Sequence, residues 1–103
     1  MTPTRRHHLT ASGRAAVASV TADDTEVNVH FHIRAGQLAP GTRARIVARV
    51  FALPELRDRK ALRATVPLGD AELLHQLRRR CTSLSARAAG ATCLVDADLG
   101  GAR

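Results

Sequence analysis

The sequence predicts an α+β domain: a two-layer, open-faced sandwich in ββαβαβ order, with two helices on one face of a four-stranded sheet. Three observations predict it. Residues 26–34 alternate apolar and polar without a break. Two stretches, opening at Thr42 and Asp70, repeat apolar residues at helical spacing. Each strand-like run has a single apolar face, so both helices must cover the same side of the sheet. Parallel later strands would be joined by right-handed crossovers. An antiparallel Ala61–Leu68 would instead give a split, ferredoxin-like order. The 103 residues suit one domain. It is expected over 14–99, between a flexible N-terminal tail at 1–13 and a C-terminal tail at 100–103.

Met1–Gly13 carries Arg, His, Thr and Ser with no apolar run after Arg5 and Arg6, so it reads as a mobile tail and not as a secretory signal. Arg14–Thr21 alternates weakly and is rich in alanine; with the turn formers Asp23 and Asp24 it can pair with the next run as a hairpin. In Glu26–Arg34, Val27, Val29, Phe31 and Ile33 share one face, and Glu26, Asn28, His30, His32 and Arg34 share the other. Gly36–Gly41 is a loop around Pro40, and Thr42 is the expected N-cap of a first helix. Ile46, Val47, Val50 and Phe51 form its apolar stripe, and Pro54 stops it near Leu53.

Ala61–Leu68 alternates again, and Pro67, which has no amide donor, marks an edge or a strand end. Asp70 caps a second helix whose stripe of Leu74, Leu77, Cys81, Leu84 and Ala88 extends it over Ala71–Ala89, with Gly90 as its stop. A competing reading ends that helix near Cys81 and folds Ser83–Leu99 into a hairpin at Ala89-Gly90; the unbroken stripe favours the long helix. Ala91–Leu99 is the last strand, with Cys93, Val95, Ala97 and Leu99 on one side and Asp96 and Asp98 on the other.

Composition narrows the function classes. Only Phe31 and Phe51 are aromatic, and there is no Trp or Tyr. Both point at the core, so base stacking on aromatic side chains is excluded. Cys81 and Cys93 fit no zinc spacing and read as free, small hydrophobes, which suits a cytoplasmic chain. No apolar run reaches the ~20 residues of a membrane span. No G-x-S-x-G, H-E-x-x-H or phosphate-loop motif is present.

Two surfaces remain. The first is the polar sheet face, with Asn28, His30, His32, Arg34, Arg63, Thr65, Asp96 and Asp98. His-x-His and Asp-x-Asp on strands each present paired ligands, so His30, His32, Asp96 and Asp98 could hold a metal or do acid–base work. That needs their strands to be neighbours, ~4.8 Å apart. A solvated face or a dimer contact is the favoured alternative, and no metal or cofactor is expected.

The second surface is cationic. The net charge is +7, and Lys60 is the single lysine among 16 basic residues. Arg43, Arg45 and Arg49 lie on the first helix, Arg57, Arg59 and Lys60 follow it, and Arg78, Arg79, Arg80 and Arg87 lie on the second. Aligned, they could bind phosphates or an acidic partner, though a solvated helix surface in an arginine-biased proteome is the slightly favoured reading. His75, on the second helix, reads as a rim residue, and no role attaches to His7 or His8. The leading expectation is a non-catalytic binding or assembly module, homodimeric through the sheet face or an edge strand. An RNA- or ribosome-associated basic protein and a small enzyme using the polar face are the alternatives.

Overall fold

Strict alternation puts Val27, Val29 and Phe31 at 3% exposure or less while Asn28, His30 and His32 stay in solvent. The computed structural model describes residues 4–58 and 61–99. Its elements are β1 (Arg5–Ala11), β2 (Ala16–Ala22), β3 (Glu26–Ile33), α1 (Thr42–Phe51), α2 (Glu55–Asp58), β4 (Ala61–Pro67), α3 (Ala71–Arg78), β5 (Ser83–Ala89) and β6 (Thr92–Asp98). They make one mixed sheet in the order β1-β2-β3-β4-β6-β5. Only β3 and β4 pair in parallel; the other four pairings are antiparallel.

This corrects the expected four-stranded ββαβαβ and ferredoxin-like layouts. Two additional strands make the difference. Residues 5–11, read as tail, form β1 and pair with β2 in a continuous register from Arg5↔Ala22 to Ala11↔Ala16. Alternation does not show there because the positions facing the helices include Arg5 and His7. Those side chains meet the buried carboxylate of Glu55, with His7 Nε2 at 3.2 Å and Arg5 Nε at 3.9 Å from Oε2. The second addition comes from the expected long helix, which ends at Arg78. Ser83–Ala89 becomes β5, hairpinned to β6. Leu84 and Ala88 suit a helical stripe, but with Ala86 they also alternate on a strand. Gly90, at φ +65°, serves a tight hairpin as readily as a helix stop.

One apolar cluster joins the inward faces of the strands to Ile46, Val47 and Val50 of α1, Leu56 of α2, and Leu73 and Leu77 of α3. Ile46, Leu62, Leu73 and Leu77 are fully buried, each stabilising the fold by roughly 1.5–3 kcal/mol. Alanine fills the inward row of β2 at Ala16, Ala18 and Ala22, all 0% exposed.

The helix ends differ from one another. Asp70 caps α3 by accepting the Leu73 amide at 3.0 Å. In α1 the cap is Gly41, in the left-handed region at φ +79°, and not Thr42. Thr42 is the first helical residue and is buried. Its hydroxyl donates to the Ala39 carbonyl at 2.7 Å and meets Ser12 Oγ at 2.7 Å, tying the β1–β2 turn to the helix. Among the described residues, no helix is long and apolar enough to cross a membrane.

Candidate functional site

Strand register orders the uncovered sheet face into rows. One row runs His8, Ser19, His30, Thr65, Leu94, Arg87; the next runs Arg6, Thr21, Asn28, Arg63, Asp96, Ser85. A shallow groove of about 430 Å³ crosses the middle of both, lined by Ser19, Thr21, Asn28, His30, Arg63, Thr65, Arg87 and Asp96. Its floor is the backbone around Val29, Ala64 and Val95.

β4 lies between β3 and β6. His30 and His32 therefore stand two strand spacings, ~9.6 Å, from the line of Asp96 and Asp98. One metal ion cannot bridge them, and no group of three or more potential ligands occurs among the described residues. Arg63 fills the gap, its Nε at 3.3 Å from Asp96 Oδ1 and 3.5 Å from Glu26 Oε1. Ser83 Oγ donates to Asp98 Oδ2 at 3.0 Å. The paired His and the paired Asp thus belong to different ends of the face, and the imidazole–carboxylate dyad is not assembled.

The arginines also separate. Arg43 donates from Nε to both oxygens of Asp70 at 2.8 and 3.0 Å. Arg45 bonds the Pro40 carbonyl and Ser12 Oγ. The Arg80 guanidinium lies over the Phe51 ring, 5.7 Å from its centroid. Arg87 is on β5, on the open face, and not on a helix. Arg49, Arg57 and Arg79 are exposed. Arg59 and Lys60 lie outside the described residues, as do 1–3 and 100–103. Arg34 follows β3 in the loop, and His75 is exposed on α3.

Sequence reasoning missed the mouth between β3 and β4. Their parallel ladder runs from Glu26↔Ala61 to His30↔Thr65 and stops there. Yet β3 continues to Ile33 along β2, and β4 continues to Pro67 along β6. The two strands part beyond His30 and Thr65, and the backbone of residues 31–33 has no strand partner on that side. Pro67 was the available signal, since a residue without an amide donor suits a place where a ladder ends.

Both strands lead from this end into helices. The loop after β3 enters α1 through Gly41; the loop after β4 enters α3 through Asp70. The Arg43–Asp70 pair ties the two helix starts together on the helical side. The first turn of α1 holds no acidic residue; the Thr42 amide donates to the Ala39 carbonyl at 3.2 Å, and those of Arg43 and Ala44 have no partner within the helix. In open sheets, ligands bind outside the carboxyl ends of parallel strands, where the loops lead into helix starts. The mouth and the groove meet at His30 and Thr65, which are the last pair of the ladder and line the groove.

Fold and site together place the chain among mixed-sheet α+β proteins with a parted parallel pair at the centre. No family model and no curated protein matches it. It is similar to a crystal structure of a putative acetyltransferase from Sphaerobacter thermophilus DSM 20745, with a TM-score of 0.61 and 13% identity over 92% of this chain. The chain spans 65% of that protein's length, and at this identity the likeness concerns the fold.

Proposed function

We propose that this chain binds an acyl thioester of a phosphate-bearing carrier in the mouth between β3 and β4 and presents the acyl group to an acceptor in the open-face groove. The observation that carries the reading is the early end of the β3–β4 ladder at His30↔Thr65. A carrier such as coenzyme A has amide groups along one arm and phosphates at its far end. The amides can add to the free edge of β3 as a partial strand. The phosphates can meet the first turn of α1, which itself holds no acid, and the exposed Arg45 beside it. In this reading His30, exposed at the junction of mouth and groove, takes a proton from an amine acceptor as the amine nitrogen attacks the thioester carbonyl, and returns it as the C–S bond breaks, so that the carrier leaves as its thiol. The likeness to a putative acetyltransferase supports an acetyl donor.

Calorimetric titration of the full chain with coenzyme A and acetyl-coenzyme A tests this. Saturable binding in the micromolar range is expected, with inorganic phosphate a weak competitor. Absence of heat up to millimolar ligand would remove the reading. If binding is present, His30→Ala is expected to keep donor affinity and lower transfer to an amine by about 10²–10⁴-fold.

This reading departs from the expected non-catalytic module, since it adds acyl transfer to binding.

A further inference from the structure

The two sheet edges differ in chemistry. β1 presents Arg5, Arg6, His7 and His8 along its length. Two such edges would repel one another, a common protection against edge-to-edge pairing. β5 reads Ser-Leu-Ser-Ala-Arg-Ala-Ala and carries no Pro and no Lys. The core reaches β5 only at Leu84, which is half-buried against it; Ala86 and Ala88, on the same side, are both exposed. The apolar surface continues past Cys93 and Leu74 to Leu68, which is 52% exposed.

The register of the β5–β6 hairpin shows which groups face outward. Its loop is two residues, Gly90 and Ala91, between the closing pair Ala89↔Thr92, with positive φ only at Gly90. In such a hairpin the closing pair exchanges hydrogen bonds, and hydrogen-bonded pairs recur at every second residue. Ser83, Ser85, Arg87 and Ala89 therefore bond to β6. The amides and carbonyls of Leu84, Ala86 and Ala88 point out of the sheet.

We propose that β5 is a self-recognition edge that pairs antiparallel with β5 of a second copy about a two-fold axis through Ala86. This register aligns Ala86 with the partner's Ala86 and Leu84 with the partner's Ala88. All three outward residues then fall in hydrogen-bonded pairs, which gives six N–H···O bonds across the axis. On the helical side the contacts are Leu on Ala and Ala on Ala, so nothing polar is buried. On the open face Arg87 lies beside the partner's Ser85, which in its own sheet lies opposite Asp96. Arg87 is thus two strand spacings, ~9.6 Å between backbones, from the partner's Asp96, within reach of the two side chains. The symmetry makes this charge match twice. The sheet becomes twelve-stranded, and the two grooves, each bounded by Arg87, sit on one continuous face.

The test is sedimentation of the full chain over a concentration series, followed by hydrogen exchange read amide by amide at both ends of the series. Expected is a shift from 11.0 kDa toward twice that mass. The amides of Leu84, Ala86 and Ala88 gain at least tenfold protection at high concentration, while those of Ser85 and Arg87 are protected throughout. Ala86→Lys keeps the monomer's melting temperature and abolishes the shift; Arg87→Glu weakens it at least tenfold. A monomer at every concentration overturns the proposal. So does a dimer in which the concentration-dependent protection falls on β1, or one that leaves the amides of Leu84, Ala86 and Ala88 unprotected.

Discussion

Asp70 holds two elements at once, and its removal separates two energies. Its Oδ1 accepts the Leu73 amide at 3.0 Å as the cap of α3, and the same carboxylate accepts Arg43 Nε at 2.8 Å from α1. The Asp70 side chain is 7% exposed and that of Arg43 26%, so solvent screens the pair only in part. Losing a cap costs about 1 kcal/mol. Losing a charge-assisted hydrogen bond costs roughly 1.5–3 kcal/mol. Asp70→Ala removes both and should destabilise the fold by about 2.5–4 kcal/mol.

Asp70→Asn keeps an acceptor for the Leu73 amide and loses the charge, so it should cost roughly half as much. For a domain of this size each kcal/mol lowers Tm by about 4–8 °C, so the alanine variant should melt at least 10 °C below the parent. Urea titration of Asp70→Ala, Arg43→Ala and the double variant measures the coupling, expected at about 1 kcal/mol or more. Because the pair also ties the helix starts at the mouth, both single variants should weaken the coenzyme A binding proposed above, if titration shows it. Additivity of the two substitutions within ~0.5 kcal/mol would refute the claim that the pair joins α1 to α3.

Glu55 predicts a pH dependence. Its own backbone amide and the His7 ring hold its carboxyl below the usual value of 4.5, against the opposing effect of burial. A carboxyl with a lowered folded-state pKa adds stability above the unfolded value and loses it as pH falls through the folded one. Tm should therefore drop as pH falls below about 4.5, and Glu55→Gln should flatten that drop. Leu77→Ala, at a site with 0% exposure, should cost about 2–5 kcal/mol by urea unfolding. Leu68→Ser, at 52% exposure, should stay within ~0.5 kcal/mol of the parent. Burial pushes the Cys81 thiol up, and the Asp98 charge adds to this. Cys81 should therefore react with thiol reagents at pH 8 far more slowly in the native chain than in urea, as read by mass spectrometry.

Local pattern alone determined a good part of this protein. The period-two runs became β2, β3, β4 and β6 within a residue or two, because side-chain alternation is a property of the strand itself. Asp70 was readable as a cap because its partner, the Leu73 amide, is three residues away. The stop of α1 before Pro54 follows equally from local sterics. The sidedness of the sheet, with Asn28, His30 and His32 outward, is written in the same alternation.

Tertiary structure decided what distant residues share. β1 is held by its ladder to β2, and its inward Arg5 and His7 are matched by Glu55, 48 positions beyond His7, so the apolar alternation that marks the other strands is broken there. The run from Ser83 to Ala89 suits a helix stripe and a strand face alike; the free edge of β6 and the turn at Gly90 settle it as β5. Strand order then placed Arg63 between the histidines and the aspartates, so the candidate cluster does not form. It also parted β3 from β4 beyond His30 and opened the mouth. Alternation tells each strand which way its side chains face, but only pairing energies summed over the whole sheet tell it which neighbour it keeps, and for how many residues.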